Sequence, residues 1–126
     1  MNEIEIVRGT ELGQGYVTNG ITRGKAFESD DVVFSLTTVA GGAMSGWHHH
    51  GKRELYAFVR SGHLKLEHGP MGKKSVDARE GDFIHIAAWV VHRDVNPNGN
   101  VELSVVNILV GKGPPVTNVE GPETVP

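Results

Sequence analysis

The chain contains no cysteine, which excludes disulfide bonds and thiolate metal ligands; any metal it holds must use nitrogen and oxygen donors. Basic residues never cluster beyond two in a row (Lys52-Arg53, Lys73-Lys74), and the formal charge is only −3, so the basic stripe expected of a nucleic-acid partner is missing. No apolar run is long enough to span a membrane. The N-terminus, Met1-Asn2-Glu3-Ile4-Glu5-Ile6, alternates charge with isoleucine and has neither a basic nor an apolar leader region. The expectation is a cytoplasmic protein with no membrane or nucleic-acid partner. Sustained helical periodicity with caps is absent as well.

What is present is glycine, proline and short apolar runs. Seventeen glycines and six prolines in 126 residues punctuate segments rich in β-branched side chains. That pattern predicts one all-β domain of about eight to ten short strands, in a sandwich or jelly-roll barrel. Ile4 and Ile6 alternate with glutamate and predict a first strand. Gly9 to Gly24 reads as an irregular segment across the barrel surface. Strands are then expected over 32–40 and 55–60, with 43–50 leading into a histidine cluster between them and 63–67 as the hairpin partner of 55–60. Further strands are expected over 75–78, 82–86, 90–95 and 101–110. Beyond Gly111 the proline-rich tail cannot form a central strand; it is expected to be disordered or laid along a partner subunit.

The chemistry concentrates at His48-His49-His50. On a strand, alternate side chains share a face, so His48 and His50 lie within ~7 Å of each other while His49 points away. Imidazole is the commonest metal ligand in proteins. Glu54 would sit ~13 Å from His50 on a straight strand, but Gly51-Lys52-Arg53 reads as a turn that returns it toward the pair. His92 can join only through tertiary folding, as non-neighbouring strands do in a barrel. Two further residues are candidate pocket groups. His85 alternates with Ile84 and Ile86 and would shuttle protons if it faced inward. Asn107 is a polar residue in the apolar row Val105–Leu109, expected either to point into the cavity and hold substrate or water, or to bond to neighbouring backbone. Lys52 and Arg53 read as a solvated turn, and His63 and His68 as surface residues.

With these residues in place, the chain resembles the cupin superfamily. Its first motif runs Gly, five residues, His-x-His, three or four residues, Glu, about six residues, Gly. Gly42, His48, His50, Glu54 and Gly62 follow that order. Its second motif runs Gly, five residues, Pro-x-Gly, two residues, His, three residues, Asn. Gly81, His92 and Asn96 keep that spacing, with Ala87 and Trp89 standing where the motif has proline and glycine. The resemblance covers residues 32 to 110 and implies a double-stranded β-helix, the jelly-roll barrel of a small single-domain cupin. It implies His48, His50, Glu54 and His92 as ligands of one divalent ion, with Mn, Fe, Co, Ni, Cu and Zn all compatible. Cupins commonly pair through edge strands and termini, so a homodimer is expected. The functional expectation is a metal-dependent enzyme, of dioxygenase-like oxidoreductase type, acting on a small oxygenated organic molecule. The alternatives are a metal-dependent isomerase, lyase or decarboxylase, and a non-catalytic small-molecule-binding cupin.

Overall fold

The computed structural model describes residues 3–15 and 17–124. Eleven strands form among them: β1 (Gly13–Gln14), β2 (Ile21–Glu28), β3 (Val32–Val39), β4 (His48–His49), β5 (Glu54–Ser61), β6 (His63–His68), β7 (Lys74–Arg79), β8 (Phe83–Ile86), β9 (His92–Val95), β10 (Leu103–Val110) and β11 (Thr117–Asn118). They build two antiparallel sheets, ordered β1-β2-β3-β10-β5-β8 and β11-β4-β9-β6-β7. From β3 to β10 the chain repeatedly crosses from one sheet to the other, so neighbours in sequence become layers of a jelly roll. No described helix is long and apolar enough to cross a membrane.

The pleat puts one apolar row of each strand between the sheets. Along β5, Leu55, Ala57 and Val59 are buried beside Leu103, Val105 and Leu109 of the neighbouring strand β10, and Leu64 and Leu66 of β6 join the same core from the other sheet. Removing a fully buried side chain of this kind, Leu103 for instance, costs about 2–5 kcal/mol. Asn96, the last residue of the second motif, is buried as well. Its amide nitrogen donates to the carbonyls of Val39, Ala40 and Val101, and its oxygen accepts from Asn98 N–H. One side chain thus ties the end of β3 to the turn before β10.

Four expectations are corrected. Ile4 and Ile6 form no strand; they are 94% and 68% exposed, because no sheet edge receives them. The segment read as irregular contains β1 and leads into β2, an eight-residue strand paired with β3. Glycine misled that reading: Gly24 sits inside β2 because Leu12 packs over it, where a Cβ would come within 2.7 Å of the leucine Cδ1. The segment after Ser61 is no hairpin partner of β5, since β6 pairs instead with β7 and β9 in the other sheet. Gly62 is the corner, with φ +92° and room for no side chain, as a Cβ would lie 2.9 Å from both Glu102 O and Leu103 Cα. Finally, the tail folds on its own chain. Thr117–Asn118 pair with His49 and His48, an edge position that the prolines allow.

Candidate metal centre

His48 opens β4 and His92 opens β9, and the two are direct cross-strand partners. His50 lies two residues beyond His48 on the same face. The three imidazoles are buried, and their centroids are 4.4–5.2 Å apart. One ring nitrogen from each lies within 4.8 Å of the others. His49, as expected, turns away; its Nδ1 accepts a hydrogen bond from Gly51 N–H and its ring packs on Trp89.

The tautomers are fixed by the backbone. His48 Nδ1 lies 2.9 Å from Gly46 O, His50 Nδ1 2.9 Å from Pro115 O and His92 Nδ1 2.9 Å from Val90 O. A carbonyl oxygen only accepts, so each Nδ1 carries a proton, and in the neutral ring the lone pair is on Nε2. The Nε2 of His92 is buried with no hydrogen-bond partner among the described residues. Burial pushes the His50 pKa down from 6.5 to about 4 and lowers that of His92, so both rings favour the neutral form a metal requires. Three converging ring nitrogens in a buried site, each ring oriented by a carbonyl, fit a divalent cation.

Glu54 does not join them. Its carboxylate is bound by His85 Nε2 at 2.5 Å and by Ala88 N–H at 2.8 Å, on the outer side of the sheet. The hydrogen bond from His85, then that from Ala88, hold its carboxyl below the usual range. Strand parity is the reason. Leu55 faces inward and lines the central cavity, so Glu54, one residue earlier, must face out. In the first motif, the slot separated from His50 by four residues and from Gly62 by six is filled by Leu55. The turn brings Glu54 back as expected, but with its other face turned to the histidines.

His85 is outside for the same reason. On β8 it is Ile84 and Ile86 that line the cavity, while His85 stacks on Tyr56 at 4.9 Å and Phe83 is 82% exposed. Asn107 does reach the cavity, and there its amide donates to Thr37 Oγ1 at 2.8 Å and to Val105 O at 3.2 Å. Arg53 is buried rather than solvated, with Nε donating to Gly113 O. It fastens the tail to the turn after His50.

The cavity that the histidines share has a volume of about 290 Å³ and is lined mostly by aliphatic side chains from both sheets. Sequence reasoning missed Arg23 of β2, which also lines it, because β2 was not read as a strand. It missed Asp94 too. Asp94 lies two residues after His92 on the same face of β9, and its Oδ2 is 3.7 Å from His48 Nε2. The parity rule that paired His48 with His50 applies equally to His92 and Asp94.

The sequence profile of the Cupin domain family matches residues 35–109, and the chain belongs to that family. Among solved structures it is similar to the polyketide cyclase RemF from Streptomyces resistomycificus, with 21% identity and a TM-score of 0.77 over 93% of this chain and 86% of that one. It is also similar to KdgF from a Halomonas species, with 16% identity and a TM-score of 0.72 over 88% and 96% of the two chains. A predicted oxalate decarboxylase from Thermotoga maritima is similar at 16% identity and TM-score 0.71, over 85% and 99%. These likenesses establish the fold. A comparison with the sequences of curated proteins finds no match.

Proposed function

We propose that this protein is a metal-dependent enzyme acting on a small, largely apolar molecule that carries at least one oxygen donor. The observation that carries the reading is the set of three buried histidines whose Nδ1 atoms are all bound to carbonyls, leaving three Nε2 lone pairs directed at one point. His48, His50 and His92 would hold the ion. When bound, it would supply Lewis acidity or redox capacity within the cavity. The chain's own residues do the rest. The aliphatic walls exclude water and bind the apolar body of the substrate, and Asn107, held by Thr37, offers its amide oxygen for orientation. Such a cavity suits a ligand with few polar groups.

Dioxygenase-type oxidation is the first reaction class we assign, because three protein ligands leave coordination positions free for a second reactant beside the substrate. A redox-neutral reaction such as cyclisation, isomerisation or decarboxylation is the second reading. It is favoured by the structural likeness to a polyketide cyclase and to a predicted oxalate decarboxylase. One experiment separates them. Protein loaded with Fe²⁺ or Mn²⁺ is offered a panel of phenols, diketones and hydroxyacids with and without oxygen, with His92→Ala as control. Substrate loss coupled to oxygen uptake supports the first class, and equal turnover without oxygen supports the second. Ligand binding with no turnover under either condition would return the protein to the class of binding modules.

We also propose a homodimer, formed through β8 rather than through the termini. β8 is an outer strand of its sheet and carries Phe83 beside Phe58, ring centroids 4.8 Å apart, on an exposed face. Light scattering at micromolar concentration should give twice the chain mass, and Phe83→Lys should halve it.

A further inference from the structure

The three histidines supply nitrogen donors alone, and Glu54, which would have supplied oxygen, faces the other way. Among the described residues two carboxylates line the cavity, those of Glu28 and Asp94. Glu28 ends β2 on an exposed surface and pairs with Lys25. Asp94 is different in each respect. It shares the inward face of β9 with His92, its side chain is 28% exposed, and its nearest ionisable neighbour is a histidine of the cluster.

Its position is fixed from the backbone. Ser45 N–H donates to Asp94 O at 2.8 Å, and Asp94 N–H donates to Ser45 Oγ at 2.9 Å. That reciprocal pair pins β9 against the segment entering β4, and only the two side-chain torsions of Asp94 remain free. The contact it then makes is between two acceptors. In the neutral ring that a metal binds, His48 carries its proton on Nδ1, toward Gly46 O, and the lone pair of Nε2 faces the carboxylate oxygen at 3.7 Å. Two lone pairs facing each other in a largely buried site repel unless a cation lies between them. Donors held about 2.0–2.2 Å from one ion are never more than ~4.4 Å apart, which the 3.7 Å between Asp94 and His48 meets; the described donors that lie within 4.8 Å of one another are the three histidines, so Asp94 joins them by turning about its two free torsions.

From this geometry we propose that Asp94 is the oxygen donor of the centre, taking the role that Glu54 has lost. The inference rests on the metal reading above and specifies its ligand set as three imidazoles and the Asp94 carboxylate. The carboxylate lowers the net charge of the bound divalent ion from two to one. It also shifts ligand preference from an all-nitrogen set toward the mixed set suited to redox-active ions.

The test is Co²⁺ and Zn²⁺ binding to wild-type protein, Asp94→Asn, Asp94→Glu and Glu54→Gln, read by competition titration and by the visible spectrum of bound Co²⁺. Asp94→Asn keeps the shape and both Ser45 bonds while removing the charge. It is expected to weaken binding by more than the ~10–100-fold that loss of an outer hydrogen-bond partner causes, with a shifted Co²⁺ band. Asp94→Glu should recover part of the affinity, and Glu54→Gln should match wild type in both readouts. Thermal melts of the metal-free variants report folding, and the spectrum of whatever Co²⁺ complex forms gives a second readout independent of affinity. If wild type binds Co²⁺ and Asp94→Asn binds it equally with the same spectrum, the assignment of Asp94 fails while the histidine site stands. Should Glu54→Gln alone lose affinity, Asp94 is again displaced, in favour of a rotated Glu54. If wild type binds neither ion, the metal reading itself falls, and this inference with it.

Discussion

Glu54 and Leu55 are adjacent in β5 and face opposite sides of one sheet: the carboxylate reaches His85 and Ala88 outside, while the leucine lines the cavity that holds the three histidines. A one-residue difference in spacing has therefore exchanged a charged inward side chain for an apolar one. The carboxylate keeps a structural task, tying β5 to β8 and to the loop that leads to His92.

Leu55→Glu should reverse that exchange. In the metal-free protein the new carboxyl loses aliphatic packing and is desolvated, at a cost of roughly 3 kcal/mol or more. Added Zn²⁺ or Co²⁺ should restore stability, giving a larger metal-induced rise in Tm than in wild type. A rise equal to or smaller than that of wild type would show that this slot does not reach the centre.

The buried histidines make the metal-free fold sensitive to acid. His50 has a folded pKa of about 4 against 6.5 when unfolded, so between these values the unfolded chain binds the extra proton. Its contribution to stability is complete above pH 6.5 and is lost as the pH falls toward 4, amounting to about 3 kcal/mol across the window. His92 is shifted in the same direction and adds to the loss. Urea melts of chelator-treated protein at pH 7.5, 5.5 and 4.5 should show the decline, and His50→Gln should flatten it.

Trp89 occupies the glycine position of the second motif and has φ +67°, in the left-handed region. A non-glycine residue there is strained by roughly 1–2 kcal/mol. Its ring packs on His49 and is largely exposed, so the side chain returns little. Trp89→Gly should therefore be close to neutral, while Trp89→Ala, which loses the ring and keeps the strain, should be less stable than Trp89→Gly by about 1 kcal/mol. Chemical denaturation of the three proteins measures the order directly. Alanine above glycine would contradict the strained conformation.

Much of this structure was legible in the residues because strand parity and turn chemistry are local. β3, β5, β8 and β10 lie within a few residues of where their alternation places them, and the His48/His50 pair follows from the two-residue period alone. The errors arose where a neighbour distant in sequence decides. Gly24 reads as a break until Leu12 is seen above it, and Ile4 and Ile6 read as a strand although no edge receives them. Parity also decided Glu54, but its sense depended on which face of β5 the core would take. That was settled by Leu55, Ala57 and Val59 together, and the turn residues alone did not reveal it. Asp94 was within reach of the same rule, applied forward from His92 as well as backward from His50.

The tail offers a separate test. Pro115 O orients His50, and Gly113 O anchors Arg53 beside it. Truncation after Gly113 removes the first of these and β11, and should weaken Zn²⁺ binding ~10–100-fold. Truncation after Glu120 leaves β11 in place and should not. Equal affinities in a Zn²⁺ competition assay would show that His50 needs no such support.

The contact between His50 and Pro115 also couples the interior to the surface. The carbonyl that sets the tautomer of a buried ring belongs to a segment 65 residues away, held at the edge of the sheet by Thr117–Asn118 and by Arg53. Whatever loosens residues 113–118 from the barrel therefore loosens the aim of His50 as well.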